Sequence, residues 1–255
     1  MGWTLPQTEH ETFRRNPLVA VIAQLRFHPI LKVPDRISDF QEAVRQRFPG
    51  FTEATTRDFN FQPPFGIELR EGKEFQFRST SGLSSLTLGT GALALEARRH
   101  TSRADFFAGF EVAVAALEAV YSPINPIRLG LRYVNSIDLE SIGRDLDAKL
   151  AWNDLVDGKF LKLPGDLANL DGTLFAVEVN STIADGKLTL RSGLLQSPPD
   201  GQVTFRLDFD RYLEGDLAAG EAMPRLRRFS DDIYALFRCA AGPRLLEWMQ
   251  RGGGE

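Results

Sequence analysis

A chain of 255 residues, 43% hydrophobic and 25% charged, can bury about 70–75% of the surface it would expose unfolded, so an ordered globular protein is expected. Its net charge of −4 and pI near 5.6 give nucleic acids and anionic membranes no overall electrostatic support, although a local basic patch would not register in that total. A single cysteine, Cys239, excludes an internal disulfide and a cysteine-rich metal site.

The N-terminal "MGWTLPQTEHETFRRNP" has acidic residues and no continuous apolar segment, which is not the pattern of a secretory signal. No apolar run approaches the roughly 20 residues of a membrane helix, so a cytoplasmic protein without membrane contact is expected. In "LVAVIAQLRF" (18–27), Val19, Val21, Ala23, Leu25 and Phe27 alternate onto one face, which predicts a strand. "PDRISDFQEAVRQRFPG" (34–50) spaces Ile37, Phe40, Val44 and Phe48 by three and four, a short helix with Asp35 as its N-cap.

Residues 51–98 read as antiparallel strands: "FTEATTRDFNFQ" before Pro63-Pro64, then "GIELREGKEFQFRS" with a hairpin-like "EGKE". "SSLTLGTGALALEAR" follows, turning at "GTG". In "TSRADFFAGFEVAVAALEAVYSP" (101–123), Ser102 is placed to cap a helix with Asp105 three residues on. Phe106, Phe110, Val114, Leu117 and Tyr121 form its core stripe.

"NPIRLGLRYVNSIDL" (125–139) is the most strand-like stretch, with Leu129, Leu131 and Tyr133 on one face and Arg128 and Arg132 on the other. Residues 140–172 lose that rhythm; "GRDLDAKLAWNDLV" has room for a helix, and the segment is expected to be a peripheral insertion or long connection. Strands resume in "LFAVEVNSTI" and "KLTLRSGLLQ", joined by "ADG", and in "VTFRLDFDRYL". The last of these has Val203, Phe205, Leu207 and Phe209 inward. "MPRLRRFSDDIYALFRCAAGPRLLEWM" closes the chain as helix broken at Gly242-Pro243, with Cys239 half-buried and inert, before a flexible 251–255 tail.

The expected fold class is therefore α+β, a single domain over 1–255. Its large, mostly antiparallel sheet carries about three helices on one face, in the order β-α-β-β-β-α-β-(insert)-β-β-β-α. "NPLVAVIAQLRF" and "NPIRLGLRYV" share Asn-Pro, an apolar strand and Leu-Arg-aromatic, a faint internal echo with duplication and coincidence both open.

Searches for chemistry return little. GxSxG, GxxxxGK[ST], HExxH and a strand-to-helix glycine turn are missing, His10, His28 and His100 are scattered without ligand spacing, and no catalytic, metal or cofactor site is assigned. Asp208 and Asp210 stand two apart on one strand face, about 7 Å, but an exposed strand face carries such charges ordinarily. The arginines form the clearest pattern. Arg26, Arg78, Arg128, Arg132, Arg191 and Arg206 fall in strands and point mostly away from the apolar face, a candidate binding face whose planar forks suit carboxylate or phosphate. The alternative is a set of cross-strand ion pairs worth roughly 0.2–1 kcal/mol each. Gln24 and Asn135 are polar residues in otherwise apolar strands, candidates for lining a pocket.

"NPLVAVIAQLRFHPIL", "FQFRSTSGLSSLTLGTGALALEARRHTSRADFFAGFE", "IRLGLRYVNSIDL" and "FSDDIYALFRCAAGPRLLEWM" together resemble a sporadically distributed, uncharacterised prokaryotic protein family of about this length. "LGLRYVN" is the most specific piece, and "ARRHTS" departs from the family where an aromatic residue is expected near His100. The resemblance implies an accessory role exchanged between genomes, such as a defence or mobile-element component, and brings no catalytic residues or cofactor.

The leading expectation is a non-enzymatic binding or scaffold subunit that engages a protein partner or itself as an oligomer. Two alternatives stand beside it: an RNA- or nucleotide-binding module using the arginine-bearing face, and a small-molecule enzyme with a pocket between sheet and helices.

Overall fold

Leu18–Phe27 forms the first strand, β1, because its alternation buries Val21, Ala23, Leu25 and Phe27 on one side. The computed structural model describes residues 10–62, 66–98, 102–161, 175–183, 185–197, 202–215, 217 and 220–251, with the side chains of 55–72, 175 and 197 outside that description. After β1 come α1 (Ile37–Val44), β2 (Gly50–Gln62), β3 (Gly66–Arg78), β4 (Ser84–Gly89), β5 (Ala92–Ala97) and α2 (Arg103–Tyr121). Next are β6 (Pro126–Ile137), α3 (Leu139–Leu146), α4 (Trp152–Leu155), α5 (Gly158–Leu161), β7 (Phe175–Ile183), β8 (Gly186–Ser197), β9 (Gln202–Glu214), α6 (Ala222–Ala240) and α7 (Pro243–Gln250).

The nine strands make one sheet in the order β2-β3-β4-β5-β1-β6-β9-β8-β7. The expected large antiparallel sheet is therefore present, with two corrections. Four strands, not three, separate α1 from α2, and the described residues hold seven α-helices rather than about three. The extra strand arises because β4 and β5 turn at Gly89–Ala92 and count separately. The hairpin expected at "EGKE" is not there: β3 runs straight through 71–74, paired residue for residue with β2. The Pro63-Pro64 and His100 positions and residues 162–172 lie outside the described residues.

By contacts the chain divides into two compact units, 20–131 with 213–226, and 10–19 with 132–212 and 227–251. In the first, α1 and α2 pack on the apolar sheet face. Phe40 meets Phe77 with ring centroids 5.4 Å apart, and Phe40, Phe77, Phe110 and Leu117 are fully buried. Each such side chain contributes roughly 1.5–3 kcal/mol. Ser102 caps α2 as its sequence predicts, its Oγ accepting from the Asp105 amide at 3.3 Å. Asp35 does not cap α1; it sits in a 3-10 turn, Pro34–Arg36, that leads into the helix without a side-chain cap. At the far end of α2, the Tyr121 hydroxyl donates to the Val33 carbonyl, and burial pushes its pKa up to about 12.

In the second unit α6 packs on β6 and β9, and α7 packs against α3 and α4. Tyr133 of β6 hydrogen-bonds Ser230 of α6 at 3.0 Å, and Trp152 of α4 lies 6.0 Å from Phe205 of β9. The first part of the 140–172 segment is packed structure rather than loop: Ile142, Leu146, Leu155 and Val156 are buried. Asp138 starts α3 immediately after β6, its carboxylate accepting from the Glu140 and Ser141 amides. The 10–17 segment is strapped to the helices. His10 pairs with Asp231 and stacks on Tyr234, while Arg15 and Trp248 both donate to Asp145. Cys239 is exposed, not half-buried.

The two units share a connectivity. The β1–β5 run and the β6–β9 run each close on themselves: β5 lies beside β1, and β9 beside β6. The strands that open them, β1 and β6, are the ones preceded by or starting in Asn-Pro.

Candidate interaction surface

The six candidate arginines divide between the units, Arg26, Arg78 and Arg128 in one and Arg132, Arg191 and Arg206 in the other. All lie on strands, and their chemistry splits them differently. Arg132 grips Asp208 with a bidentate fork, Nε to Oδ1 at 2.8 Å and Nη2 to Oδ2 at 2.6 Å. Arg191 approaches the same carboxylate at 3.8 Å and binds Glu178 at 2.7 Å. Asp208 is only 2% exposed although it faces away from the helices, because long guanidinium stems cover it. The Asp208 hydrogen bonds hold the Arg132 pKa further above its ordinary value, and Glu178 is held below the usual carboxylate range by hydrogen bonds from Asn180 and Arg191.

The physical result is a cross-strand chain, β6 to β9 to β8 to β7, in which each charge already has its counter-charge. Its Asp208 hub is testable. Asp208→Asn keeps the volume and removes the charge, and is expected to cost about 1–2 kcal/mol, less than a fully buried pair because the two arginines stay within reach of water. A urea titration showing an unchanged midpoint would mean the guanidiniums re-solvate freely and the hub holds nothing together.

In the other unit, Arg128 donates from Nη1 to the Gln24 side-chain oxygen at 3.1 Å. Gln24 therefore belongs to the face opposite the core, alternating with buried Ala23 and Leu25. Asn135 does point inward, and its Nδ2 donates to the Leu207 carbonyl at 3.2 Å, securing the antiparallel β6–β9 seam. Arg26, Arg78 and Arg206 are exposed, without an ion-pair partner among the described residues. Arg78 lies with Gln76, Ser85, Thr87, Glu96 and Arg98 along a shallow groove of about 180 Å³, where Arg98 pairs with Glu96 at 3.1 Å. A larger cleft of about 440 Å³ opens in the same unit, between the start of α2 and the hydroxyl-rich 79–84 turn. The guanidinium lining it, Arg47, is already neutralised by Asp105 at 2.6 Å.

The most unusual feature is one that the sequence reading missed. β2 and β3 pair over 13 positions, from Gly50↔Arg78 to Gln62↔Gly66, yet β3 meets β4 only at Phe75, Gln76, Phe77 and Arg78. Beyond that point residues 54–62 and 66–74 continue as a two-stranded arm. Isolated two-stranded ribbons are marginal in water, and a third strand or a packed face normally supports them. β2 also ends the sheet, and among the described residues no strand pairs with its outer side. The clue in the sequence is that 51–62 is Thr- and Phe-rich with no glycine or proline inside it, which the "EGKE" turn signal in the partner strand masked.

No protein-family model and no curated protein matches the chain. Among solved structures, the di-domain ARO/CYC protein StfQ from the steffimycin biosynthetic pathway aligns over 86% of this chain and 96% of its own, at 8% identity and a TM-score of 0.19. A similarity of that size carries no argument about fold or chemistry.

Proposed function

We propose that this protein is a non-enzymatic binding or scaffold subunit, which engages a protein partner or a second copy of itself through the β2–β3 arm. The observation that carries the reading is the nine-pair stretch from Ala54↔Glu74 to Gln62↔Gly66, where among the described residues neither strand has a third strand beside it. A ribbon of that length presents backbone donors and acceptors along its edge, the element used when one chain adds a strand to another. Reading the arginine face as an RNA platform has less support, since Arg132 and Arg191 already hold a carboxylate.

Replacing residues 55–73 with Asn-Gly, a two-residue hairpin turn, shortens the arm without touching the rest of the sheet. Native mass spectrometry of the purified intact protein and its native complexes is expected to give masses above the 28.5 kDa chain. The shortened variant is expected to melt at a similar temperature and run as a single chain. An intact protein that is a lone chain under all conditions, or a shortened one that keeps its full complex, would refute the proposal.

A further inference from the structure

Where β3, β4 and β5 run side by side, the sheet face away from the helices gathers polar side chains around one hollow, and the geometry points to a site for a single phosphate group. None of its residues belongs to the 54–62 and 66–74 extension of the arm. Phe75 and Phe77, Leu86 and Leu88, and Leu95 and Ala97 are buried on the helix side. Alternation therefore turns Gln76 and Arg78, Ser85 and Thr87, and Glu96 and Arg98 onto the opposite face. The register sets them in rows, Arg78 opposite Ser85 and Ser85 opposite Glu96, with Gln76 opposite Thr87 in the next row.

Two strand spacings, about 10 Å, separate the Arg78 and Glu96 positions, and only the short Ser85 stands between them. This is the origin of the groove of about 180 Å³, walled by guanidiniums and floored by hydroxyls. Glu96 does not reach across to Arg78; it pairs with Arg98, two residues on, at 3.1 Å. Among the described residues, no hydrogen bond or ion pair engages the side chains of Arg78, Gln76, Ser85 or Thr87, although the last three are half-buried. Other arginines of the sheet are engaged: Arg132 and Arg191 share Asp208, and Arg128 donates to Gln24. Half-buried polar groups ordinarily find partners, so four that converge unsatisfied on one hollow are suited to a ligand.

The donor set selects the ligand. Arg78, Gln76, Ser85 and Thr87 offer N–H and O–H groups from one wall and the floor, and Arg98 adds its own from the other wall. Two guanidiniums and one carboxylate leave the groove with a net charge of +1, which favours an anion. Donors on several sides match the four oxygens of a phosphate, whereas a carboxylate offers two oxygens in one plane. The volume is below the roughly 300 Å³ at which pockets enclose drug-sized molecules, so any body carried by the phosphate lies outside on the sheet face.

Calorimetric titration of the full-length protein, in buffer free of phosphate and sulfate, tests this with inorganic phosphate, phenyl phosphate and acetate. Both phosphates are expected to saturate one site, with acetate at least about tenfold weaker. Tighter binding of inorganic phosphate assigns the groove to the free ion and tighter binding of phenyl phosphate to an ester; each supports the site. Arg78→Gln is expected to weaken binding at least about tenfold, and Thr87→Val, which keeps the shape and loses the hydroxyl, about threefold. Arg26→Gln removes an exposed arginine of the same unit that lies outside the groove, and is expected to leave affinity within about twofold. Glu96→Gln removes the carboxylate and frees Arg98, and is expected to tighten binding about threefold, a gain that a damaged fold cannot imitate. No saturation by about 10 mM of either phosphate overturns the site. So does acetate binding as tightly as phosphate, or an equal loss in Arg26→Gln and Arg78→Gln.

Discussion

Arg211→Ala is expected to cost about 3–5 kcal/mol, enough to leave the unit containing β7, β8 and β9 largely unfolded at moderate denaturant. Arg211 is fully buried on the helix side of β9. Its Nε donates to Asp232 of α6 at 2.9 Å, Nη1 reaches the Lys187 and Tyr212 carbonyls at 3.3 and 3.4 Å, and the guanidinium lies 4.6 Å from the Phe229 ring centroid. Truncation removes the volume and takes from the Asp232 carboxylate and two backbone oxygens the hydrogen bonds that Arg211 gives them, which is where the cost of breaking a buried pair comes from. Replacing the whole pair separates that cost from any net worth of the interaction. Arg211→Met with Asp232→Leu is expected to lie within about 1 kcal/mol of the original. Equilibrium urea unfolding of the two variants decides it. An Arg211→Ala loss under about 1 kcal/mol would mean water reaches the vacated site.

That residue also marks where sequence reasoning stopped short. The alternation of Phe205, Leu207 and Phe209 was legible, and its parity carries on to 211, so an arginine on the apolar face was there to be read. What no pattern disclosed was the partner, because Asp232 is brought to β9 only by the path of α6. The arginine face behaves alike: periodicity placed Arg132 and Arg191 on the side away from the helices, as the structure has them. It could not show that both converge on Asp208, since that depends on the order β6-β9-β8-β7. Elements defined by a repeated period, namely β1, α2, β6 and β9, were read within a few residues. The arm was not, because Glu71, Gly72 and Lys73 have turn chemistry yet sit in a continuous ladder opposite Arg57, Thr56 and Thr55. Local propensity yielded there to pairing with a strand from an earlier part of the chain.

Gly242→Ala is expected to cost about 2–3 kcal/mol, and Gly242→Val more, through a contact that the break between α6 and α7 makes unavoidable. The Gly-Pro signal located this break correctly, but gave no reason for a glycine beyond ending a helix. The structure supplies one: a Cβ at 242 would lie 2.5 Å from the Asp154 carbonyl oxygen and 2.8 Å from the Leu155 carbonyl carbon. Both are backbone atoms of α4, so no side chain can swing aside. The approach is fixed by a short ladder, in which the Gly242 amide donates to the Leu155 carbonyl and the Asp157 amide to the Ala240 carbonyl, each at 2.8 Å. This is how the 140–172 segment is anchored: α4 is clamped to the α6–α7 corner, with Leu155 and Val156 buried behind it. Backbone strain has no part in it, because φ at Gly242 is −76°, open to any residue. Gly242 is also the N-cap of α7, and alanine is a poor cap, so Gly242→Ser provides the discriminating control. Serine restores the cap but keeps the Cβ, and is expected to be nearly as destabilising as alanine in thermal or urea unfolding. Full recovery with serine would assign the loss to capping and leave the α4 clamp without energetic weight.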